Sequence, residues 1–327
     1  MERRTFIRVL SGSAIATVLP LNKIYSNPIS LKDKWGDLLP LRAFGKTQIQ
    51  VTMLGLGGFH IGRMEDKLAQ QTIEAAISGG IRFIDTAESY QDGVSEEKLG
   101  RLLVPKYRNE VFVMTKTRAE DRKTAQSQLE GSLKRLQCDY LDLWQMHDIK
   151  NVADAKKRIE QGVLDVMLEA KQKGKIKHLG FTGHTNPEGL NYLAQYSDEL
   201  EACMLPVNVL DPSYNSFIKN SLPVLLEKNI GIIAMKTMAG GSFFGGGFDG
   251  WKKEKNIVMN DVSMKEAMHF VWSLPVGVLV TGPKTVEMLQ EKIDLVKSYV
   301  KMTEPEQETL IKKVAHWAGT EIEYYKE

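Results

Sequence analysis

Cysteine is scarce: Cys138 and Cys203 are the only two in 327 residues. A pair of distant thiols makes neither a disulfide framework nor a metal-ligand spacing, and packing is their simplest use. Charge of one sign is lacking as well. Lys and Arg number 43 against 41 Asp and Glu, with no long block of either sign, so neither nucleic acid nor an anionic membrane surface is expected as a partner. No apolar run is long enough to cross a bilayer, so no integral membrane segment is expected. No His-x-His pair occurs among the 6 histidines. What remains is an ordinary globular composition, 43% hydrophobic and 26% charged, enough for a sizeable core. The length suits one large domain or two ordinary ones.

The first residues differ from the rest. Met1-Glu2-Arg3-Arg4-Thr5-Phe6-Ile7-Arg8 is basic, and Val9 to Leu21 is mildly apolar but too short and too polar for a spanning helix. A charged start before a short apolar run reads as a secretory signal. Arg3-Arg4 with Phe6 resembles the twin-arginine export signal, Ile7 and Arg8 being conservative departures from it. The resemblance implies the twin-arginine machinery as a partner and a periplasmic or exported location. The alternative is an amphipathic N-terminal helix on a cytoplasmic protein. Residues 1–26 are assigned to this export signal, and 27–40, with Pro28, Pro40 and Lys32-Asp33-Lys34, read as a linker.

From residue 41 to 327 the chain reads as one domain. Arg42 to Val51 predicts a small hairpin with Gly45 in its turn. Strand-like and helix-like stretches then alternate. The strands are expected over Val51–Gly57, Ile81–Asp85, Val111–Lys116, Tyr140–His147, Lys177–Thr182, Met204–Leu210, Gly231–Met235 and Val276–Thr281. A helix follows each, and a further one spans Pro305–Trp317. Eight near-continuous apolar strands call for a parallel sheet covered by helices, and a closed (β/α)8 TIM barrel is the simplest such architecture. A doubly wound sheet is the alternative. Catalytic groups of such barrels gather where strands end.

Asp85, Lys116 and His147 stand at three consecutive strand ends, each thirty-one residues after the last, with Tyr90 close behind Asp85. A phenol is a poor acid or base near neutrality, and a nearby cation favours the phenolate and lowers its pKa. Lys116 can supply that charge, Asp85 can hold the ammonium, and His147 can orient an oxygen that the phenol addresses. The set makes sense as a proton-transfer device for a carbonyl oxygen. Singly, each has a plainer use: a helix cap, a solvated charge, a rim tyrosine, a packed histidine.

With these residues in place, 41–302 resembles the aldo-keto reductase superfamily. Leu41 to Lys46 and Val51 to Gly57 are similar to its opening hairpin and first strand, and Phe83-Ile84-Asp85-Thr86-Ala87-Glu88-Ser89-Tyr90 to its most specific motif. Leu99-Gly100-Arg101-Leu102-Leu103 follows as in that family. The resemblance implies a nicotinamide-dependent barrel that reduces an aldehyde or ketone to an alcohol. Tyr90 would donate the proton, Lys116 and Asp85 would tune it, and His147 would orient the carbonyl.

The cofactor contacts depart further from the pattern. Thr182-Gly183-His184 stands where Ser-Asn is usual, and Asn208 where Gln is frequent. Met235 and Lys236 replace the aromatic that usually stacks on nicotinamide. Gly57 and Gly58 at the first strand end, and Gly240 in the loop after the seventh, are placed with these contacts. Gly282, Lys284 and Thr285 resemble the adenosine-phosphate loop, with Glu291 beyond. Lys284 and Thr285 suit a 2′-phosphate and favour NADPH, NADH remaining possible, although Met288 and Lys292 stand where Arg and Asn are usual.

Gly55-Leu56-Gly57-Gly58-Phe59-His60 opens like a dinucleotide fingerprint, but His60 occupies its last glycine position and the rule fails. His60, His147, His184 and Asp85 all fall at strand ends, which leaves a metal-dependent hydrolase as one alternative. Lys116 would repel a cation, so no metal is expected. A slow-turnover nicotinamide-binding sensor is the other. The resemblance implies a small carbonyl compound as substrate. The tail after Trp317 is short, and Phe243, Phe244, Phe248 and Trp251 around the glycine-rich loop are candidates for lining its pocket.

Overall fold

The computed structural model describes residues 31–244 and 261–327. The export signal assigned to 1–26, residues 27–30 of the linker, and Phe248 and Trp251 lie outside the described residues, as does the side chain of Phe244.

Eight strands carry the fold: β1 Leu54–Gly57, β2 Phe83–Asp85, β3 Phe112–Thr117, β4 Leu141–Met146, β5 Ile176–Thr182, β6 Leu200–Pro206, β7 Gly231–Met235 and β8 Val278–Thr281. They pair in parallel in chain order, and β8 pairs with β1 to close the barrel. The principal helices are α1 Asp66–Ser78, α2 Val94–Leu102, α3 Arg122–Leu136, α4 Val163–Gln172, α5 Pro187–Tyr196, α6 Leu222–Glu227, α7 Met264–Ser273, α8 Val286–Lys297 and α9 Glu304–Val314. This is the (β/α)8 architecture expected.

Side chains alternate between two cores. Phe83, Met114, Leu143, Ala202, Met204, Ile233, Met235 and Val278 fill the barrel interior. Ile84, Val113, Cys203, Leu205, Ile232 and Ala234 face the helices. The two-residue period of a strand decides what stands at the rim. Asp85 shares the inward face of Phe83 one step up, and Lys116 shares that of Met114. The buried charges thus continue the interior stack.

The hairpin forms as expected, Leu41–Ala43 against Gln50–Thr52. It plugs the opposite end of the barrel. Phe44 is fully buried and packs edge-on against Phe83 and Phe112, 6.1 and 6.0 Å between centroids.

Three expectations shift. The stretch read as linker is structured in its described part. Lys32–Asp33 pairs with Gly36–Asp37, and Asp33 takes both Nε and Nη2 of Arg82 at 2.6 and 2.8 Å. β6 begins at Leu200 rather than Met204 and ends at Pro206. Glu201 masks its start, because its carboxylate is paired on the flank with Lys171 and His178 at 2.9 and 3.1 Å. The single helix expected after β6 breaks into Phe217–Asn220 and α6 around Pro223, whose missing N–H suits a helix start but not its interior. A further helix, Val152–Glu160, lies between β4 and α4, capped by Asn151. No helix among the described residues is long and apolar enough to cross a membrane.

Candidate active site

The carboxyl ends of β2, β3 and β4 bring the four residues around Tyr90 together. Lys116 is 1% exposed, its ammonium enclosed by three acceptors. It donates to the Asp85 carboxylate, to the Thr86 carbonyl at 2.7 Å and to the Tyr90 hydroxyl at 3.3 Å. Tyr90 is half-buried, its ring edge-on to Phe59 and to His147, with centroids 5.2 and 5.9 Å away. His147 follows β4 directly. Its backbone N–H donates to the Thr117 carbonyl, and Arg158 of the helix missed in the sequence donates to its carbonyl at 2.9 Å. The His147 Nδ1 stands 3.3 Å from the Ser89 hydroxyl. The signal for Arg158 was the Asn151 cap with Asp154 and Arg158 one turn apart, an ion pair at 2.9 Å.

Burial sets the protonation of this group. It works against the Lys116 ammonium, but Asp85 and Tyr90 more than offset it and hold the lysine above its ordinary value. Burial pushes the Asp85 carboxyl up, with Lys116 acting against it. The expected lowering of the phenol is corrected. Burial raises Tyr90, Lys116 lowers it less, and Asp85 adds to the rise. The phenol therefore stays protonated near neutral pH and is suited to give a proton rather than to take one. Burial, then Lys116 and His184, pushes His147 well below the usual histidine range, so its ring is neutral.

Beside this group stands a pair that sequence reasoning did not assemble. His184 Nδ1 lies 2.9 Å from Asp148, the residue after His147, and the two imidazole centroids are 6.3 Å apart. Asp148 takes a left-handed backbone, φ 61°, with its N–H on the Thr182 hydroxyl at 2.9 Å. The Asp148 carboxyl is held well below the carboxylate range, chiefly by that bond to His184.

The β6–β7 side is spent differently. Asn208 lies beyond β6, fully buried. Its oxygen accepts from the N–H groups of Leu210 and Asp211, and its amide donates to the Tyr325 hydroxyl at 2.7 Å and to Glu323 at 3.3 Å. Asn208, expected as a cofactor contact, anchors the C-terminal tail. Lys326, fully buried, pairs with Asp211 and Glu323, each at 2.8 Å. Met235 belongs to the barrel interior. Lys236 takes φ 57° and points its ammonium at the Tyr324 and Tyr325 rings, 5.6 and 5.7 Å from their centroids, and burial pushes it down to about 8. Gly240, at φ 68°, leaves room for the Tyr324 hydroxyl, which would lie 2.5 Å from any Cβ there.

At the β8 end, Gly57 closes β1, Gly58 starts the short helix Gly58–Arg63, and Gly282 follows β8 beside His60. Thr285 caps α8 through the Met288 N–H at 3.3 Å, while Lys284 and Glu291 are exposed. Lys292 is 3% exposed and donates to the Thr281 hydroxyl at 2.7 Å; burial pushes it down to about 8. Burial, then Lys292, Lys284, Lys236 and Arg63, pushes His60 down to about 4. His147 and His184 are neighbours, 6.3 Å between centroids, but no group of three metal-ligating side chains occurs among the described residues.

Known proteins resemble the chain in sequence or in fold. The aldo-keto reductase YhdN of Bacillus subtilis is 34% identical over 188 residues, 52% of each chain, so the chain matches about half the length of that relative. The holo form of the aldo-keto reductase AKR11C1 from Bacillus halodurans superposes with a TM-score of 0.71 at 19% identity, over 88% of this chain and 100% of that one. An aldo-keto reductase from Klebsiella pneumoniae in complex with NADPH gives 0.67 at 19% identity, over 85% and 96%. At such identities the structures speak for the fold alone. The sequence profile of the aldo/keto reductase family matches residues 53–318, from just before β1 to beyond α9, and because that span takes in every strand and all four residues around Tyr90, the chain belongs to this family.

Proposed function

We propose that this chain reduces the carbonyl group of a small aldehyde or ketone to an alcohol with NADPH, NADH being the second choice. The observation that carries it is the Tyr90 hydroxyl, 3.3 Å from the Lys116 ammonium, which is itself fixed on buried Asp85.

The residues fit a phosphate-bearing dinucleotide. At the β8 end Lys284 is exposed, and Lys292 is buried with a hydroxyl rather than a carboxylate as its hydrogen-bond partner. A pyrophosphate or 2′-phosphate would supply the missing charge. Lys284, Lys292 and Gly282 would hold that end, and Thr182 and Lys236 the nicotinamide end. The Klebsiella relative is described as an NADPH complex, which supports the same choice. When bound, the cofactor supplies hydride to the carbonyl carbon.

The chain's own part is the proton. Tyr90, kept neutral by burial, donates its O–H proton to the carbonyl oxygen as negative charge develops there. Lys116 stabilises the phenolate left behind, and Asp85 balances Lys116. In the tautomer in which Ser89 donates to Nδ1, neutral His147 carries its proton on Nε2 and donates to the same oxygen. The test is NADPH oxidation with a panel of aldehydes. Tyr90→Phe should abolish it while cofactor binding persists, and full activity in that variant would defeat the reading.

The N-terminal Arg3-Arg4 pair with the apolar run behind it supports export by the twin-arginine route, which moves folded proteins and lets the cofactor be loaded first. Cell fractionation of the native chain against an Arg3→Lys, Arg4→Lys variant tests this. An unchanged distribution counts against export.

A further inference from the structure

The loop after β4 is built to present a second imidazole. Thr182 holds it twice, its carbonyl accepting from the Ile149 N–H at 2.7 Å and its hydroxyl from the Asp148 N–H at 2.9 Å. Gly183 makes the approach possible. A Cβ there would lie 2.8 Å from the Ile149 carbonyl and 3.0 Å from Leu190, so no side chain fits. The loop turns at Asp148 through a left-handed conformation that aspartate tolerates better than most residues, and such strain is kept where the surroundings require it. The Asp148 carboxylate then meets His184, while Arg118 approaches its other oxygen at 3.4 Å.

The chemistry of the pair fixes what His184 can offer. A carboxylate only accepts, so Nδ1 of His184 carries the proton and, in the neutral ring, Nε2 is an acceptor. Burial, with Lys236 and Lys116, lowers the His184 pKa more than Asp148 raises it, which keeps the ring neutral. The ring is 19% exposed, so it is open at one side. An imidazole reaches an oxygen at about 2.9 Å. Two rings with centroids 6.3 Å apart can therefore each engage one of two oxygens on neighbouring carbons.

We propose that His184, positioned by Asp148, accepts a hydrogen bond from a hydroxyl on the carbon next to the carbonyl addressed by Tyr90 and His147, so that 2-hydroxyaldehydes and 2-hydroxyketones are preferred over unsubstituted ones. This deepens the carbonyl-reductase reading and rests on it. A 2-oxoaldehyde has no hydroxyl to donate and gains nothing from His184.

The test uses the full chain with NADPH and three probes: 2-hydroxypropanal, propanal and 2-oxopropanal. Hydration of each aldehyde is the same in every assay, so ratios of kcat/KM between enzymes are clean. In His184→Phe the 2-hydroxypropanal to propanal ratio should fall about tenfold, mainly through KM, the loss expected of one hydrogen bond. His184→Gln keeps an acceptor and should restore part of the ratio. Asp148→Asn suits the same backbone but frees the tautomer, and should lower the ratio by a smaller factor. The 2-oxopropanal to propanal ratio should stay in place throughout. A ratio unchanged in His184→Phe overturns the proposal, as does a parallel fall for 2-oxopropanal. If His184→Phe does not fold, an unchanged ratio in Asp148→Asn overturns it. Equal use of 2-hydroxypropanal and propanal by the native chain overturns this proposal alone, whereas reduction of neither takes the functional reading with it.

Discussion

On the β2–β4 side of the rim, titratable side chains gather around a half-buried phenol; on the β6–β7 side they face the chain's own C-terminus. Both sides hold a buried lysine paired with carboxylates. Lys116 touches Asp85 and stops 3.3 Å from a half-buried phenol. Lys326 touches Asp211 and Glu323 with every charge enclosed. The same ion-pair chemistry is left one open face in the first case and none in the second. A buried charge pair reads as a reactive group only when an adjacent proton remains within reach of a ligand.

Breaking the lysine on each side exposes that difference most strongly. Lys116→Met strands a buried Asp85 and takes the cation from the phenol. It should cost about 3–5 kcal/mol of stability and cut kcat by roughly 10²–10⁴-fold. Urea unfolding and steady-state rates with NADPH check the two parts. Lys326→Met strands Asp211 and Glu323 and should cost a similar ~3–5 kcal/mol by the same reasoning. Its kcat loss should be much smaller, because no proton of the reaction passes there. Equal kcat losses in the two variants would erase the contrast.

A milder change sharpens the contrast at one residue. Asn208→Ala removes the acceptor for the Leu210 and Asp211 N–H groups and the donor for Tyr325. The melt should show a loss of about 1–3 kcal/mol. The KM for NADPH should rise less than the stability loss would suggest. A large rise in KM with an unchanged melt would return Asn208 to the cofactor.

These contrasts mark what was legible in the residues. The barrel was, because strand runs end at regular intervals and a two-residue period places Asp85 above Phe83 and Lys116 above Met114. The proton-transfer group was legible for the same reason, since Asp85, Lys116 and His147 each stand at a strand end and Tyr90 follows close behind Asp85. Partners far along the chain were not. Nothing near Asn208 announces Tyr325, and nothing near Lys236 announces Tyr324. Glu201 hid the start of β6 because its charge is paired on the barrel flank. The direction of the Tyr90 shift was misjudged because proximity to Lys116 can be read from sequence, while the burial that outweighs it depends on Phe59, His147 and the packed rim. The His184–Asp148 pair was invisible because it needs a left-handed turn at Asp148 and the room that Gly183 leaves.

Lys292 supplies the smallest and most diagnostic effect, because it tests whether the β8 end has the open character of the β2–β4 side. Burial pushes its pKa down from 10.5 to about 8. A lysine is cationic below its pKa and neutral above it, so attraction for a phosphate is complete below about pH 8 and fades as pH rises through it. The free fold responds in the opposite sense. The unfolded chain keeps this proton up to 10.5 and the folded chain only to about 8, so the group's penalty on stability shrinks between those values. NADPH affinity should therefore fall about tenfold, near 1.5 kcal/mol, across that window while the apo protein gains stability from this group. Binding stabilises the ammonium, so the midpoint in the complex lies above that of the free protein. Cofactor fluorescence titrations across the range should show the slope in the native chain and a flatter one in Lys292→Met. Lys236→Met separates the other lysine pushed to about 8. A slope that survives Lys292→Met and vanishes in Lys236→Met would move the titrating contact to the nicotinamide end.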